Sequence, residues 1–336
     1  MIGSFPKVVK PLLAQLPKND YPVLNTRLFV ECWLGFVLDR SLTSMRDLFL
    51  RLNSQNIEVD ISTFSKASKQ RSLAPFMKIY ECLSEQVNRK NQRAEMKICP
   101  IDSTVITLTS KLLCGQGYSQ VKLISGLDSS NGSLADKLVS FGKKHDYNFG
   151  MEIIEALPKK GIAAMDRGFA SLEIIKQMKQ NNQYFVLRIS QNYKLEFLPD
   201  SEFFKVGTGT DSVVCRVVNF CDLESQKEYR LVTNLPLAGE EGLTNEEIAD
   251  IYRCRWQIEL LWKFLKMHLK LDELITKNVN GIAIQIYSSL IAYLLLKLVE
   301  IPQEWGSKLL DKLRYLQACM CQEISYIHWM QKIMRC

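Results

Sequence analysis

The spacing of apolar and polar residues divides the chain into stretches of different texture. Residues 1–95 carry a helical period. Ser44 and Asp47 stand at capping-box spacing before an apolar-periodic run from Met45 to Leu52. A polar link over 53–60 leads into a second, basic helix over 61–71, which Asp60 or Ser62 can cap. Helix, turn and basic helix is the order of a helix-turn-helix, which would set Lys66, Lys69 and Arg71 near phosphates. The same cations suit the solvated face of a helical bundle.

At Lys97 the period shifts toward that of strands. KICPIDSTVITLTS is β-branched and apolar between polar ends, and GYSQVKLISGLDSSNG predicts a second strand ending in a turn at 129–132. A third strand is expected over 134–141. DYNFGMEIIEAL has a helical period, GIAAMDRGF predicts a short buried strand ending at Asp166, SLEIIKQMKQNN an amphipathic helix and QYFVLRIS a further strand. Strands first clustered, then alternating with helices, imply a mixed α/β sheet. Short alternating runs over 191–240 predict a small β-rich insertion. Thr244 and Glu247 form a capping box that opens a long helix to about Leu271, and the rest reads as helical to Cys336. The expected division is a helical region 1–95, an α/β domain 96–300 interrupted by the insertion, and a helical segment 301–336.

Composition narrows the class. Hydrophobic residues at 47% permit a sizeable core, and charged residues at 24% are ordinary for a globular protein. The net charge of +7 fits a phosphate-rich partner without requiring one. None of the ten cysteines forms a CxxC pair, and the three histidines, His145, His268 and His328, are scattered. A zinc site is therefore not expected, and free thiols in a reducing cytoplasm are. The apolar part of MIGSFPKVVKPLL is short and lacks a small-residue cleavage site, so no signal peptide is expected. The apolar stretch from Ile282 to Val299 approaches the length of a membrane span, but Gln285, Tyr287, Ser288 and Ser289 interrupt it. It reads as a buried core helix.

Three acids stand out by position. Asp102 lies in an apolar strand, Asp166 ends another, and Glu259 sits in the long helix. A carboxylate in an apolar strand is unfavourable unless something compensates it. Divalent cations with oxygen ligands would do so, and acids from separate segments meeting at one end of a sheet suit phosphoryl transfer. Taken singly, Asp102 can cap a strand end and Asp166 can start a turn. The helix IYRCRWQIELLWKFLKMHLK adds the pattern: with Tyr252 at zero, Arg255, Glu259 and Lys266 fall at about 300°, 340° and 320°. Lys263 lies near the same stripe. An i,i+4 Arg255–Glu259 salt bridge on a solvated face is one account of it, since charge stripes on helices are common. The stripe also suits a metal-binding acid flanked by cations that hold DNA phosphates. Trp256 and Trp262 flank Glu259 and are expected to pack on the sheet.

Y-x2-R-x3-E-x6-K, matched at Tyr252, Arg255, Glu259 and Lys266, resembles the signature of bacterial insertion-sequence DDE transposases of the insertion-sequence-four group. IDST at 101–104, GKKHD at 142–146, MDRGF at 165–169 and TNLP at 233–236 resemble further family segments, in the family's order. The resemblance covers about Lys97 to Val299. It implies a ribonuclease-H-like catalytic domain in which Asp102, Asp166 and Glu259 bind two magnesium or manganese ions. It also implies that Tyr252, Arg255 and Lys266 contact DNA phosphates. The implied reaction is hydrolytic nicking followed by attack of the freed 3′-hydroxyl on DNA. Its partners are double-stranded DNA, as terminal inverted repeats and target, and a second copy of the chain when DNA is bound. The implied location is the cytoplasm, at the nucleoid. Two departures stand out. Lys122-Leu123-Ile124 replaces a K-L-H pattern, and no tryptophan lies between Gln191 and Asp250 to stack a flipped base, leaving Phe203, Phe204, Phe220 or Tyr229 for that role. A nuclease without strand transfer and an inactive DNA-binding remnant are the competing readings.

Overall fold

A computed structural model describes residues 9–54, 57–90, 97–108, 118–157, 161–199, 201–222, 226–237 and 242–320. The elements begin with helices α1 (Lys10–Ala14), α2 (Thr26–Leu38), α3 (Met45–Ser54), α4 (Ile61–Gln70) and α5 (Ala74–Lys90). Strands β1 (Ile98–Thr107), β2 (Gln120–Leu127) and β3 (Leu134–Phe141) follow, then α6 (Gly150–Ala156), β4 (Ile162–Met165), α7 (Leu172–Gln180) and β5 (Tyr184–Ile189). Next come β6 (Leu195–Phe197), β7 (Phe203–Val206), β8 (Val213–Asp222) and β9 (Lys227–Thr233). Helices α8 (Asn245–Cys254), α9 (Trp256–Leu269), α10 (Val279–Leu298) and α11 (Leu309–Met320) complete the order.

The chain forms two compact units. One comprises Met1–Lys90, Thr109–Gln116 and Lys263–Cys336, the other Asn91–Leu108 and Gly117–Trp262. This division differs from the one expected from sequence, because the chain after Trp262 clusters with the N-terminal helices. The expected helix toward Cys336 extends past the described residues, as do His328 and several cysteines. The described cysteines Cys32, Cys82, Cys99, Cys215, Cys221 and Cys254 are free thiols.

The first unit is helical because its apolar positions recur at helical spacing and its helix starts are capped. The Ser44 hydroxyl accepts from the Asp47 amide at 3.2 Å while the Asp47 carboxylate accepts from the Ser44 amide at 2.9 Å, the expected box. Asp60 caps α4 through the Ser62 amide at 2.6 Å. Phe29, Trp33, Phe49, Phe64 and Phe76 build an aromatic core. Helix α10 packs against α2, α4 and α5, and the Ser288 and Ser289 hydroxyls donate to carbonyls inside the unit. The long apolar helix is thus a core helix, its interrupting polar groups satisfied internally. Helix α9 ends at Lys270, whose backbone is left-handed (φ 52°). Its ammonium donates to the carbonyls of Phe36 at 2.8 Å, Asp39 at 2.6 Å and Leu42, capping the end of α2.

The second unit is a nine-stranded mixed sheet in the order β3-β2-β1-β4-β5-β9-β8-β7-β6. Strands β1, β4 and β5 run parallel, and the remaining pairs are antiparallel. The β-rich stretch expected as a small insertion continues this sheet, because β9 pairs with β5. Helices α6 and α7 pack on the sheet and its neighbours. Cys99, Ile101, Ile124, Ala163, Phe185, Phe149 and Phe169 share the core on one face. Alternate residues, Ile162, Ala164, Val186 and Leu231, face the opposite core with Ile248, Ile251 and Tyr252 of α8. The expected turn after β2 closes with the Asp128 amide on the Ser133 carbonyl at 2.8 Å and Gly132 at φ 72°. The expected single helix is divided at Arg255, whose amide bonds to the Tyr252 carbonyl three residues back at 3.0 Å, one tightened turn.

Candidate active site

The parallel register aligns the two strand-borne acids. Ile101 pairs with Met165 and Met165 with Leu187. One step further, Asp102 stands in mid-β1 where its pairing with β4 ends, level with Asp166 just past β4 and Arg188 near the end of β5. Period-two alternation puts all three on the face that carries Ile162, Ala164 and Val186, the face under α8. Asp166 and Arg188 stand where the buried runs of β4 and β5 give out, whereas β1 continues past Asp102 to Thr107.

Two side chains donate to Asp166. Its Oδ1 accepts from the Tyr252 hydroxyl at 3.0 Å and from Arg188 Nη1 at 3.3 Å. Burial works to raise its pKa, but the Arg167 amide, Arg255, Arg188 and Tyr252 outweigh it, so the carboxyl titrates below its ordinary value. Tyr252 is buried, and burial together with the neighbouring Asp166 carboxylate raises its phenol above the ordinary value, keeping it a donor. Its ring packs against Tyr229, which stacks on Phe220 at 5.0 Å and 9°. The Arg188 guanidinium lies 4.6 Å from the Tyr229 ring centre.

Glu259 sits one turn beyond Arg255, and Arg255 Nη1 donates to its Oε1 at 2.6 Å. Arg255 is 8% exposed. Burial opposes its charge, yet Tyr252, Glu259 and Asp166 together raise its pKa above the ordinary value, so it remains a cation among the acids. Asp102 is the unusual carboxyl: burial pushes it up to about 7, opposed by the Ser103 amide and Arg255 and reinforced by the charges of Glu259 and Asp166. The three acids thus share one electrostatic environment. Among the described residues no three His, Cys, Asp or Glu side chains converge as a metal-binding group, since Glu259 turns to Arg255 and Asp166 to Tyr252 and Arg188. The donor set, three carboxylates and no thiolate or imidazole, has the chemistry that a hard divalent cation takes.

The other cations singled out from sequence stand apart by environment. Lys66 and Lys69 are exposed on α4. Arg71, its C-cap, lies 3.8 Å from the Tyr21 ring centre and 5.1 Å from that of Phe29, packed rather than freely projecting. Lys263 is exposed and Lys266 half-buried on α9, beyond Glu259. Trp262 is buried, whereas Trp256, expected to pack on the sheet, is 57% exposed. A cleft of about 500 Å³ opens beside Tyr252 and Arg255, lined by Trp256, Phe220 and Tyr229. Phe203 and Phe204 lie on β7, outside its lining. His145 stacks on Tyr147 at the surface. Arg188 was missed from sequence. Its signal was a lone cation in the otherwise apolar run YFVLRI, as telling as the lone aspartate in β1.

A large mixed sheet flanked by helices, with parallel strands at its centre, is the architecture of a ribonuclease-H-like fold. The family model "Transposase DDE domain" matches residues 93–295. A protein of Synechocystis sp., bearing a transposase name for insertion sequence element IS4SA, is 51% identical over 99% of both chains. One of Geobacillus stearothermophilus, with a transposase name for element IS5377, is 25% identical over 70% of this chain and 66% of its own. The chain belongs to the DDE transposase family, with relatives in the insertion-sequence-four group, and it is an enzyme that acts on DNA. Enzymes of this family work with divalent metal ions.

Proposed function

We propose that Asp102, Asp166 and Glu259 are the catalytic, metal-binding triad of a transposase that cuts the ends of an insertion sequence and joins the freed 3′-hydroxyl to target DNA. The observation that carries this reading is the register of neighbouring parallel strands, which brings Asp102 of β1 level with Asp166 just past β4. Glu259, within electrostatic reach of Asp102, completes the set. Magnesium, or manganese in its place, would activate the attacking oxygen and neutralise the leaving one when held by these three acids.

The remaining roles follow from the chain's own groups. Tyr252 and Arg188 help keep Asp166 ionised and aimed by donating to its Oδ1. Arg255 orients Glu259 and supplies positive charge where phosphate charge develops. Lys263 and Lys266 continue the cationic stripe along α9 and suit the DNA backbone. Lys66 and Lys69, exposed on α4, give the helical region 1–95 a DNA-binding role, while Arg71 is packed on aromatic rings; residues 96–300 are the catalytic domain and 301–336 a helical extension. The partners are terminal inverted repeats, target DNA and a second copy of the chain on DNA, at the bacterial nucleoid.

The test is incubation of the purified chain with its element's ends and magnesium, resolved on a denaturing gel, beside a strand-transfer assay with 3′-hydroxyl donor ends. Nicks at the ends and joined products are expected. Nicks without joining would assign a nuclease, and neither product would refute the catalytic reading.

A further inference from the structure

We propose that Lys122 and Asp146 are positioning residues, an ion pair that braces the Asp166 turn from the sheet face opposite Tyr252 and Arg188. The inference rests on the catalytic reading of Asp166. Lys122 lies in β2 across from Val105, and alternation puts it on the face of Ile124, away from Asp102. Only 7% of it is exposed. Its ammonium donates to the Lys144 carbonyl at 2.6 Å and to Asp146 Oδ1 at 2.7 Å. The other oxygen of Asp146 meets Gly168: a Cβ there would stand 3.0 Å from Asp146 Oδ2. Gly168 belongs to the short helical turn that Asp166 opens, closed by the Phe169 amide on the Asp166 carbonyl at 3.0 Å. Asp146 opens a matching turn, Asp146–Asn148, which packs on the first. Phe149 and Phe169, which follow the two turns, share one core.

The continuous path is Lys122, Asp146, Gly168, Asp166. It gives the GKKHD and MDRGF segments a common purpose, and it explains why glycine follows Arg167. Buried ion pairs contribute little to net stability against an apolar replacement, so placement is the stronger account of this one. A carboxylate displaced by about 1 Å costs on the order of 100-fold in rate, which makes a brace consequential.

The experiment compares Asp146→Asn, Lys122→Met, Gly168→Ala and the double variant Asp146→Ala/Gly168→Ala with wild type and Glu259→Gln. Manganese affinity of the free protein is measured by water-proton relaxation, thermal unfolding reports the fold, and cleavage is titrated with magnesium. The single brace variants should unfold cooperatively and bind manganese about 10-fold more weakly, with a raised magnesium requirement for cutting. Gly168→Ala should cost little more in the Asp146→Ala background, because its clash partner is gone. If single variants unfold, the apolar pair Lys122→Met/Asp146→Leu restores the fold and must show the same affinity loss. Manganese affinity equal to wild type, or fully additive effects of Asp146→Ala and Gly168→Ala, overturns the brace. A wild type that binds manganese in this pattern but does not cut element ends faults the functional reading and leaves the brace standing.

Discussion

The hydroxyl of Tyr252 donates to Oδ1 of Asp166 at 3.0 Å, joining α8 to the end of β4 across 86 residues of sequence. The bond makes a signature tyrosine part of the support of an acid. Tyr252→Phe removes the donor and leaves the packing against Tyr229. A hydrogen bond to a charged group contributes about 1.5 to 3 kcal/mol. Cleavage should slow by roughly 10-fold or more, while end binding by gel shift stays within about twofold. Equal loss of binding and cleavage would make Tyr252 a DNA contact instead.

Glu259→Gln keeps the shape of the side chain and removes its charge. Arg255 then loses the anion it holds at 2.6 Å. Cleavage in magnesium should fall below detection while end binding persists. Metal-dependent cutting by this variant would remove Glu259 from the triad.

The raised carboxyl of Asp102 makes the metal-free protein sensitive to pH. Its value stands at about 7 against an ordinary 3.8, chiefly through burial. A raised folded-state value means that the native state binds this proton more tightly. Its stabilising contribution is therefore complete below about 4 and is lost as pH rises through about 7. Asp166, lowered, acts in the opposite sense and only below its ordinary value. In EDTA, the melting temperature of Asp102→Asn relative to wild type should climb between pH 4 and pH 7 and level off above. A difference independent of pH would contradict the burial of this carboxyl.

Lys266→Ala should weaken end binding and reduce the dependence of log affinity on log salt by about one unit. Filter binding across a salt series measures it. An unchanged slope would exclude a phosphate contact.

Lys270→Met removes an ammonium that caps three carbonyls beyond and within the end of α2. The buried carbonyls lose their donor, and unfolding in urea should show a loss of about 3 kcal/mol. A loss below about 1 kcal/mol would mean that neighbouring groups replace the cap.

Local pattern carried much of the sheet. The run from Leu134 to Phe141, the buried strand before Asp166, and the capping boxes at Ser44 and Thr244 stand where apolar alternation and side-chain chemistry put them. These features depend on residues a few positions apart. The break at Arg255, the exposure of Trp256 and the continuation of the sheet through β9 escaped that pattern, because each depends on what packs against the element. Helical angles found the stripe of Tyr252, Arg255 and Glu259, since one helix orders its own side chains. They could not show that Tyr252 is buried with its hydroxyl on Asp166.

By itself the sequence determined most of the elements, several of their caps, the candidate acids and, through its motifs, the family, because all of these are written within short stretches of chain. Only the tertiary structure decided that Arg188 completes the rank of Asp102 and Asp166, that Lys122 reaches Asp146, and that Lys270 caps α2. Those relationships are set by which strands lie side by side and in what register. A shift of one residue would turn the same side chains to the other face.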